Sequence, residues 1–322
     1  MRFRLFYFTL CAVSCIVLAS TEKGKSEPQN RKLLHENIHR ASLPETLKGG
    51  IHKYQLHSRF RQIFIPRLTQ EELPQNAWHS QVQQDALVAY LLNCKRGGFF
   101  VDLAANDAVE ISNTFSLEQL LGWKGICWEA NSHYWYRLAT KRTCHLMGGA
   151  AAGKSGEEID FAFAGGRGGI YSTSEYPTDV RSEVLASVYE RHKGQSSVLF
   201  QPEEKVRVST ATLNEVLDLF APFNIDYLSL DVEGAEWLVL EKFNFHRHRF
   251  AVMTIERPGE QLQQLLQSHG YKRHPENIGT FGETLWMDGA FPSLENILST
   301  PMKTLVEEAT KTSPLECFNQ EH

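Results

Sequence analysis

The sequence predicts an α/β fold, and the prediction rests on three apolar segments that each end in an acidic residue. These segments cover residues 99–102, 123–129 and 225–231. Each is followed by small or polar residues and then by apolar residues at helical spacing. That pattern is typical of a buried parallel strand that runs into a tight turn and a helix.

Composition and charge exclude some classes of partner. The chain has 322 residues, is 42% hydrophobic and carries a formal net charge of −5. This is ordinary globular composition, with enough length for one large core or two small ones. Because the sequence contains no run rich in lysine or arginine, we expect no nucleic-acid partner.

The N-terminus resembles a targeting segment. Arg2 and Arg4 precede an uncharged run from Leu5 to Ser20. We predict that residues 1–20 form either a cleaved signal peptide or a short signal anchor. Either alternative directs the chain to the secretory pathway, as a secreted or lumenal protein or as a single-pass type II membrane protein of the Golgi or endoplasmic reticulum. Only an uncleaved segment would contact the membrane.

Cysteine usage indicates no metal site. Four of the six cysteines lie outside the N-terminal run, at Cys94, Cys127, Cys144 and Cys317. They form no CxxC pair, and no histidine cluster at zinc spacing accompanies them, so we predict no metal ligands. The compartment permits disulfides, but spacing alone fixes no pairing. Cys127 and Cys144 fall in predicted strands, where we expect small buried hydrophobic side chains.

Acidic residues at the strand ends are the candidate functional groups. The turn after Asp102 would bring backbone N–H groups and a helix N-terminus to a nucleotide-like cofactor. Glu129 follows at the next strand end, where a carboxylate can accept both ribose hydroxyls; a solvated carboxylate is the alternative. Asp231 and Glu233 fit a cationic ligand or a proton transfer, and solvation at the sheet edge is again the alternative.

Four stretches together resemble the FkbM-type methyltransferases. They read FFVDLAANDAVEISNTFSLE, GICWEANSHYW, DYLSLDVEGAEWLVLEKF and FAVMTIE. The resemblance implies the Rossmann-like fold of class I S-adenosylmethionine-dependent enzymes. That fold has a seven-stranded, mostly parallel sheet with an antiparallel last strand and helices on both faces. Residues 81–290 would form this domain, between a polar stalk and pre-domain segment at 21–80 and a C-terminal helical tail at 291–322.

The same resemblance implies roles for particular residues. Asp102 and the turn through Ala104 and Asn106 would hold the methionine part of S-adenosylmethionine, and Glu129 would bind its ribose. Two further residues, Gly149 and Ala150, would border its adenine. The catalytic candidates are Asp231, near the transferred methyl group, and Glu233. The family turn usually reads D-x-G-A-N-x-G, whereas this chain has Ala104 and Ala108 at the two glycine positions.

Two functions follow from the resemblance. One is an S-adenosylmethionine-dependent methyltransferase that acts on a hydroxyl of a glycan or small molecule. The other is a non-catalytic FkbM-like domain that serves as a binding or trafficking module. The altered glycines permit the second function, while the retained acids at 102, 129 and 231 favour the first.

Overall fold

The computed structural model describes residues 55–57, 62–64, 77–164, 167–172 and 204–319. All of them belong to the unit Ala41–His322. The leader predicted at 1–20 and most of the segment 21–80 lie outside the described residues. Every helix within the described ranges falls short of the length and hydrophobicity that a membrane-spanning helix needs.

Strands and helices alternate along most of the described chain. The strands are β1 (Gln55–His57), β2 (Gln62–Phe64), β3 (Phe99–Leu103), β4 (Lys124–Glu129), β5 (His145–Gly148), β6 (Ala150–Ala151), β7 (Glu158–Ala164), β8 (Arg167–Ser172), β9 (Glu204–Ala211), β10 (Asn224–Leu230), β11 (Arg249–Glu256), β12 (Tyr271–Arg273) and β13 (Glu283–Asp288). The helices are α1 (Gln84–Leu91), α2 (Phe115–Leu121), α3 (Ser132–Lys141), α4 (Leu213–Phe220), α5 (Glu236–Leu240), α6 (Glu260–Ser268), α7 (Leu294–Ser299), α8 (Met302–Lys311) and α9 (Pro314–Asn319).

The larger sheet confirms the predicted α/β class. Its strand order is β1-β2-β5-β4-β3-β10-β11-β13-β12. Strands β5, β4, β3, β10 and β11 pair in parallel, whereas β13 runs antiparallel to both of its neighbours, β11 and β12. Seven strands correspond to the predicted sheet. The short antiparallel strands β1 and β2 extend it beyond β5 and were not predicted.

Burial on both faces explains why the central strands are almost continuously apolar. Successive residues of β3 belong to different core clusters, as Phe100 and Val101 do. The Phe100 cluster packs against α1, α2 and α8, and the Val101 cluster packs against α4, α5 and α6. Parallel sheets require this double cover, because βαβ crossovers place helices on both faces.

A second sheet lies between β5 and α4 in the sequence. Its order is β6-β9-β7-β8, with β6 parallel to β9 and the other pairs antiparallel. Strand β6 begins two residues after β5 ends, so the second sheet starts at the carboxyl edge of the larger one.

Within the described residues, two disulfides join parts of the fold, and one of them corrects an expectation from the sequence. Cys127 in β4 pairs with Cys144, the residue before β5, so these cysteines are not free hydrophobic side chains. The other bond joins Cys94, beyond α1, to Cys317 in α9. Loop closure of these lengths stabilises a fold by on the order of 3–5 kcal/mol. Although Glu118 lies close to Cys127 and Cys144, their bonded sulfurs are not available as metal-binding thiolates.

Candidate functional site

The strand order reverses between β3 and β10, and the predicted site residues collect at this point. From β3 the chain continues to β4 on one side, while β10 pairs with the other side of β3. Ligands of open α/β sheets bind outside the carboxyl ends of the strands at such a reversal. Each of the predicted residues lies in or directly after β3, β4, β5 or β10, towards its carboxyl end.

The turn after β3 has an unusual backbone at Ala104. This residue is exposed and has a φ of 63°, and Asn106 has a φ of 51°. The N–H groups of Ala104 and Ala105 both donate to the carbonyl of Trp128 in β4, at 2.9 and 3.2 Å. A left-handed conformation costs a non-glycine residue about 1–2 kcal/mol. The family's first glycine position is therefore a strained one in this chain.

The second altered glycine position is different. Ala108 is fully buried, and it is not among the described non-glycine residues with positive φ. An alanine there fits without backbone strain and fills part of the core below α2. Of the two departures from the family turn, only the one at Ala104 demands a conformation that favours glycine.

Glu129 fixes the turn after β3 to the turn after β4. Its Oε2 accepts a hydrogen bond from the N–H of Asn106 at 2.8 Å, and its Oε1 accepts one from the N–H of Asn131 at 2.6 Å. Burial, opposed by these bonds and assisted by the nearby Asp102 carboxylate, raises the pKa of Glu129 to about 7. The Ala130 backbone also hydrogen-bonds to this carboxylate, and the remaining acceptor capacity is available to a ligand hydroxyl. The sequence suggested a carboxylate at the strand end, and the structure adds a structural role for it.

Asp102 lies in a buried polar network beneath α2. Thr114 Oγ1 donates to its Oδ2 at 2.6 Å and accepts a hydrogen bond from Arg142 Nη2 at 2.7 Å. Arg142 also pairs with buried Glu118, at 3.0 Å. Burial raises the pKa of Asp102, and the Arg142 cation opposes the shift. The Asp102 carboxylate thus has partners within the protein, and Arg142, which the sequence analysis missed, holds them in place.

Gly149 and Ala150 follow β5 at the same sheet edge. Gly149 has a φ of 129°, its N–H donates to the carbonyl of Glu129 at 3.0 Å, and its carbonyl accepts from the indole of Trp128 at 3.0 Å. Ala150 is 4% exposed and packs in a small cluster with Ala235 and other apolar residues from the turns after β4 and β10. These small residues connect the two sides of the strand reversal.

Carboxylates gather on the β10 side of the site. Asp231, Glu233 and Glu256 each offer an oxygen, and these three oxygens lie within 4.8 Å of one another. Arg257 contacts this group: its Nη2 donates to Glu256 Oε1 and lies 3.9 Å from Glu233 Oε2. Burial raises the pKa of Asp231 well above its ordinary value, and repulsion from Glu256, Glu233 and Glu283 adds to the shift.

Two oxygens of this group lack a hydrogen-bond donor. Asp231 Oδ1 and Glu256 Oε2 are both buried, and no described residue outside this pair of carboxyl groups donates a hydrogen bond to either oxygen. The backbone is also strained here, with φ of 54° at Glu233 and 45° at Arg257. Strained residues of this kind persist where the surrounding structure fixes them, and they concentrate at functional sites.

Glu283 completes the acidic group and was missed in the sequence. It begins β13 and stands opposite Glu256 in the antiparallel pair, 4% exposed. Burial, with repulsion from Glu256, raises the pKa of Glu283 to about 8. In an antiparallel pair, the first residue of one strand lies opposite the last residue of the other. Pairing of β13 with β11 would therefore have placed Glu283 beside Glu256.

Comparison with known families agrees with this arrangement. The family model for the methyltransferase FkbM domain matches residues 102–273, which is more than half of the chain. The search of curated proteins found no match, and neither did the search of solved structures. The matched span begins at Asp102 and includes both sides of the strand reversal. The chain therefore belongs to the FkbM methyltransferase family.

Proposed function

We propose that the protein is an S-adenosylmethionine-dependent methyltransferase that methylates a hydroxyl group of a glycan or small molecule in the secretory pathway. The observation that carries this proposal is the pair of acidic strand ends on either side of β3, with Glu129 on β4 and Asp231 after β10. Family membership supports the reaction class. The two disulfides and the N-terminal run support the compartment, since disulfides persist in oxidising environments.

The residues at the strand reversal fit S-adenosylmethionine by their chemistry. The cofactor carries a sulfonium, an ammonium and a ribose diol, and acidic acceptors complement all three. Asp231 Oδ1 is a buried acceptor without a described donor, which suits a cationic neighbour. The turn through Ala104 and Asn106 would hold the methionine part, Glu129 the ribose, and Gly149 with Ala150 would border the adenine.

Asp231 is the residue that we assign to the acceptor. Bound S-adenosylmethionine supplies the methyl group on a positively charged sulfur, which leaves as a neutral thioether. Asp231 would orient the acceptor hydroxyl and take its proton as the new oxygen–carbon bond forms. The positive charge of the bound cofactor would favour the ionised form of Asp231, whose raised pKa would then make it a stronger base than an ordinary aspartate. Glu233 is the second candidate, held near Asp231 by the same turn.

A binding module without catalysis is the second candidate function, and Ala104 favours it. A strained alanine at a usual glycine position restricts how closely the backbone approaches a ligand. Calorimetry of the purified protein with S-adenosylmethionine separates the two functions. We expect binding, weakened in a Glu129→Ala variant but not in a Glu295→Gln control on the exposed face of α7. No binding at millimolar cofactor would instead support the module.

A further inference from the structure

The acidic group after β10 and β11 concentrates negative charge in a small volume. It combines Asp231, Glu233 and Glu256, whose oxygens lie within 4.8 Å of one another, with Glu283 opposite Glu256. Arg257 contacts this group through Glu256 and Glu233. Like charges at such distances disfavour one another strongly, particularly where burial removes water.

The buried oxygens without donors indicate where a positive ligand fits. Glu256 is 7% exposed, and its Oε1 accepts the Arg257 hydrogen bond while its Oε2 has no described donor. Asp231 Oδ1 is likewise a buried carboxylate oxygen without a described donor. Buried carboxylate oxygens in folded proteins are usually hydrogen-bonded, so two such oxygens in one group need an explanation.

We propose that Asp231, Glu233 and Glu256 bind one hard divalent cation of the Mg²⁺, Mn²⁺ or Ca²⁺ class. The donor set is entirely carboxylate oxygen, which these cations prefer. Two ligands on opposite sides of Mg²⁺ lie about 4.0–4.2 Å apart, and on opposite sides of Ca²⁺ about 4.6–5.2 Å apart. Ligands that lie side by side on one cation are closer than this, so three oxygens that are all within 4.8 Å of one another can share one cation. The three carboxylates lie at or just after the carboxyl ends of β10 and β11, which are neighbouring strands.

The sequence indicated a cationic ligand or a proton transfer at Asp231 and Glu233, but it predicted no metal ion because cysteine and histidine residues show no metal-ligand spacing. Asp231 and Glu256 are separated by 25 positions and become neighbours only because β10 and β11 pair in parallel. Leu230 and Ile255, the residues before them, stand opposite each other in that pair.

The cation site also deepens the proposed function, and this part of the inference rests on it. Asp231 is the residue assigned to the acceptor hydroxyl. A divalent cation held by one Asp231 oxygen would take the acceptor oxygen as a further ligand and would lower the pKa of its hydroxyl, and the second Asp231 oxygen would accept the proton that is released. The substrate class would then be an acceptor that offers a hydroxyl with a second oxygen beside it, such as the vicinal diol of a sugar.

Direct titration with Mn²⁺ tests the site without cofactor or acceptor. We expect electron paramagnetic resonance of the purified protein to show one bound Mn²⁺ per chain, displaced by excess Ca²⁺ or Mg²⁺. Asp231→Asn and Glu256→Gln should each weaken binding at least 10-fold, and the exposed control Glu295→Gln should leave it unchanged. Wild-type protein should also melt at a higher temperature with Mn²⁺, because a ligand that binds the folded state stabilises it.

The competing explanation is a proton shared between Asp231 and Glu256 in place of a cation. It predicts no Mn²⁺ binding to wild-type protein at millimolar concentration and no change in melting temperature, and either finding would overturn the proposal. Mn²⁺ binding that survives in both variants would overturn it too. Cofactor calorimetry in the presence of a chelator keeps the two proposals apart. Cofactor binding without any cation site contradicts only this inference, while a cation site without cofactor binding contradicts only the transferase.

Discussion

The two acidic strand ends beside β3 use the same residue chemistry in opposite ways. Glu129, at the end of β4, is buried and gives each carboxylate oxygen a backbone N–H partner. Asp231, after β10, has a buried oxygen without a described donor and other carboxylates around it. The comparison teaches that position at a sheet edge does not define a role. At Glu129 the fold itself supplies hydrogen-bond donors to the carboxylate. At Asp231 it does not, so a ligand would have to supply the favourable partner.

The largest expected effect is that of Asp231→Asn on the rate of methyl transfer. The change keeps size but removes charge and proton-accepting ability, so methyl transfer should slow by roughly 10²–10⁴-fold. Cofactor affinity should change far less, and thermal stability should stay equal or rise because a repelling buried charge is gone. Single-turnover kinetics with an acceptor from a glycan panel, and a melt of the same variant, measure both.

The Glu295→Gln variant on the exposed face of α7 controls for the loss of one negative charge far from the site in the sequence. A wild-type single-turnover rate in Asp231→Asn would remove the catalytic role from this residue.

The pH dependence of the free energy of unfolding tests the environment of Glu129 separately from that of Asp231. Its folded pKa of about 7 lies above the ordinary 4.5 of an unfolded glutamate, so the folded state binds more protons between these values. The stability from this group is complete below about pH 4.5 and is lost as pH rises through 7, by up to about 3 kcal/mol. Urea unfolding at pH 5 and pH 8 should therefore show a smaller pH-dependent loss in Glu129→Gln than in wild type. Equal losses would show that Glu129 titrates normally.

Truncation of the same side chain should affect both binding and folding. Glu129→Ala removes the proposed ribose acceptor, so cofactor binding should weaken by about 1.5–3 kcal/mol. It also leaves the N–H groups of Asn106 and Asn131 without their acceptor, which should lower the free energy of unfolding by about 1–3 kcal/mol. Calorimetry and urea unfolding measure the two effects. Intact binding with a large loss of stability would make Glu129 purely structural.

The smallest expected effect concerns the turn that joins the two sides. Ala104→Gly should relieve the left-handed strain and raise the free energy of unfolding by about 0.5–1 kcal/mol, after the entropic cost of glycine. Ala108→Gly is the matched control. It removes a buried methyl group without relieving strain, so stability should fall by about 1 kcal/mol. Urea unfolding that shows equal shifts in both variants would refute the conformational difference between the two positions.

The sequence predicted much of the sheet because its signals are local. An apolar run that ends in an acid, followed by a turn and a helical pattern, identifies β3, β4 and β10 within a few residues. Burial on both faces makes such runs continuous, and a continuous run is readable without the rest of the fold.

Properties that depend on tertiary neighbours could not be predicted in the same way. The partners of Glu129 are backbone groups of two separate turns, and nothing in its own segment reports them. Glu283 joins Glu256 only through antiparallel pairing of β13. The partner of Cys127 likewise depends on β4 and β5 becoming neighbours.

The position of β13 has a practical consequence for the boundaries of a working fragment. The span 102–273 that matches the family ends before β13, whose residues 283–288 form the antiparallel partner of β11. A protein trimmed to that span would present the backbone of β11, a largely buried and mostly apolar strand, as an unprotected sheet edge. Such edges recruit strands from other molecules, so the trimmed protein should precipitate or form intermolecular β-sheet where the longer chain stays dispersed.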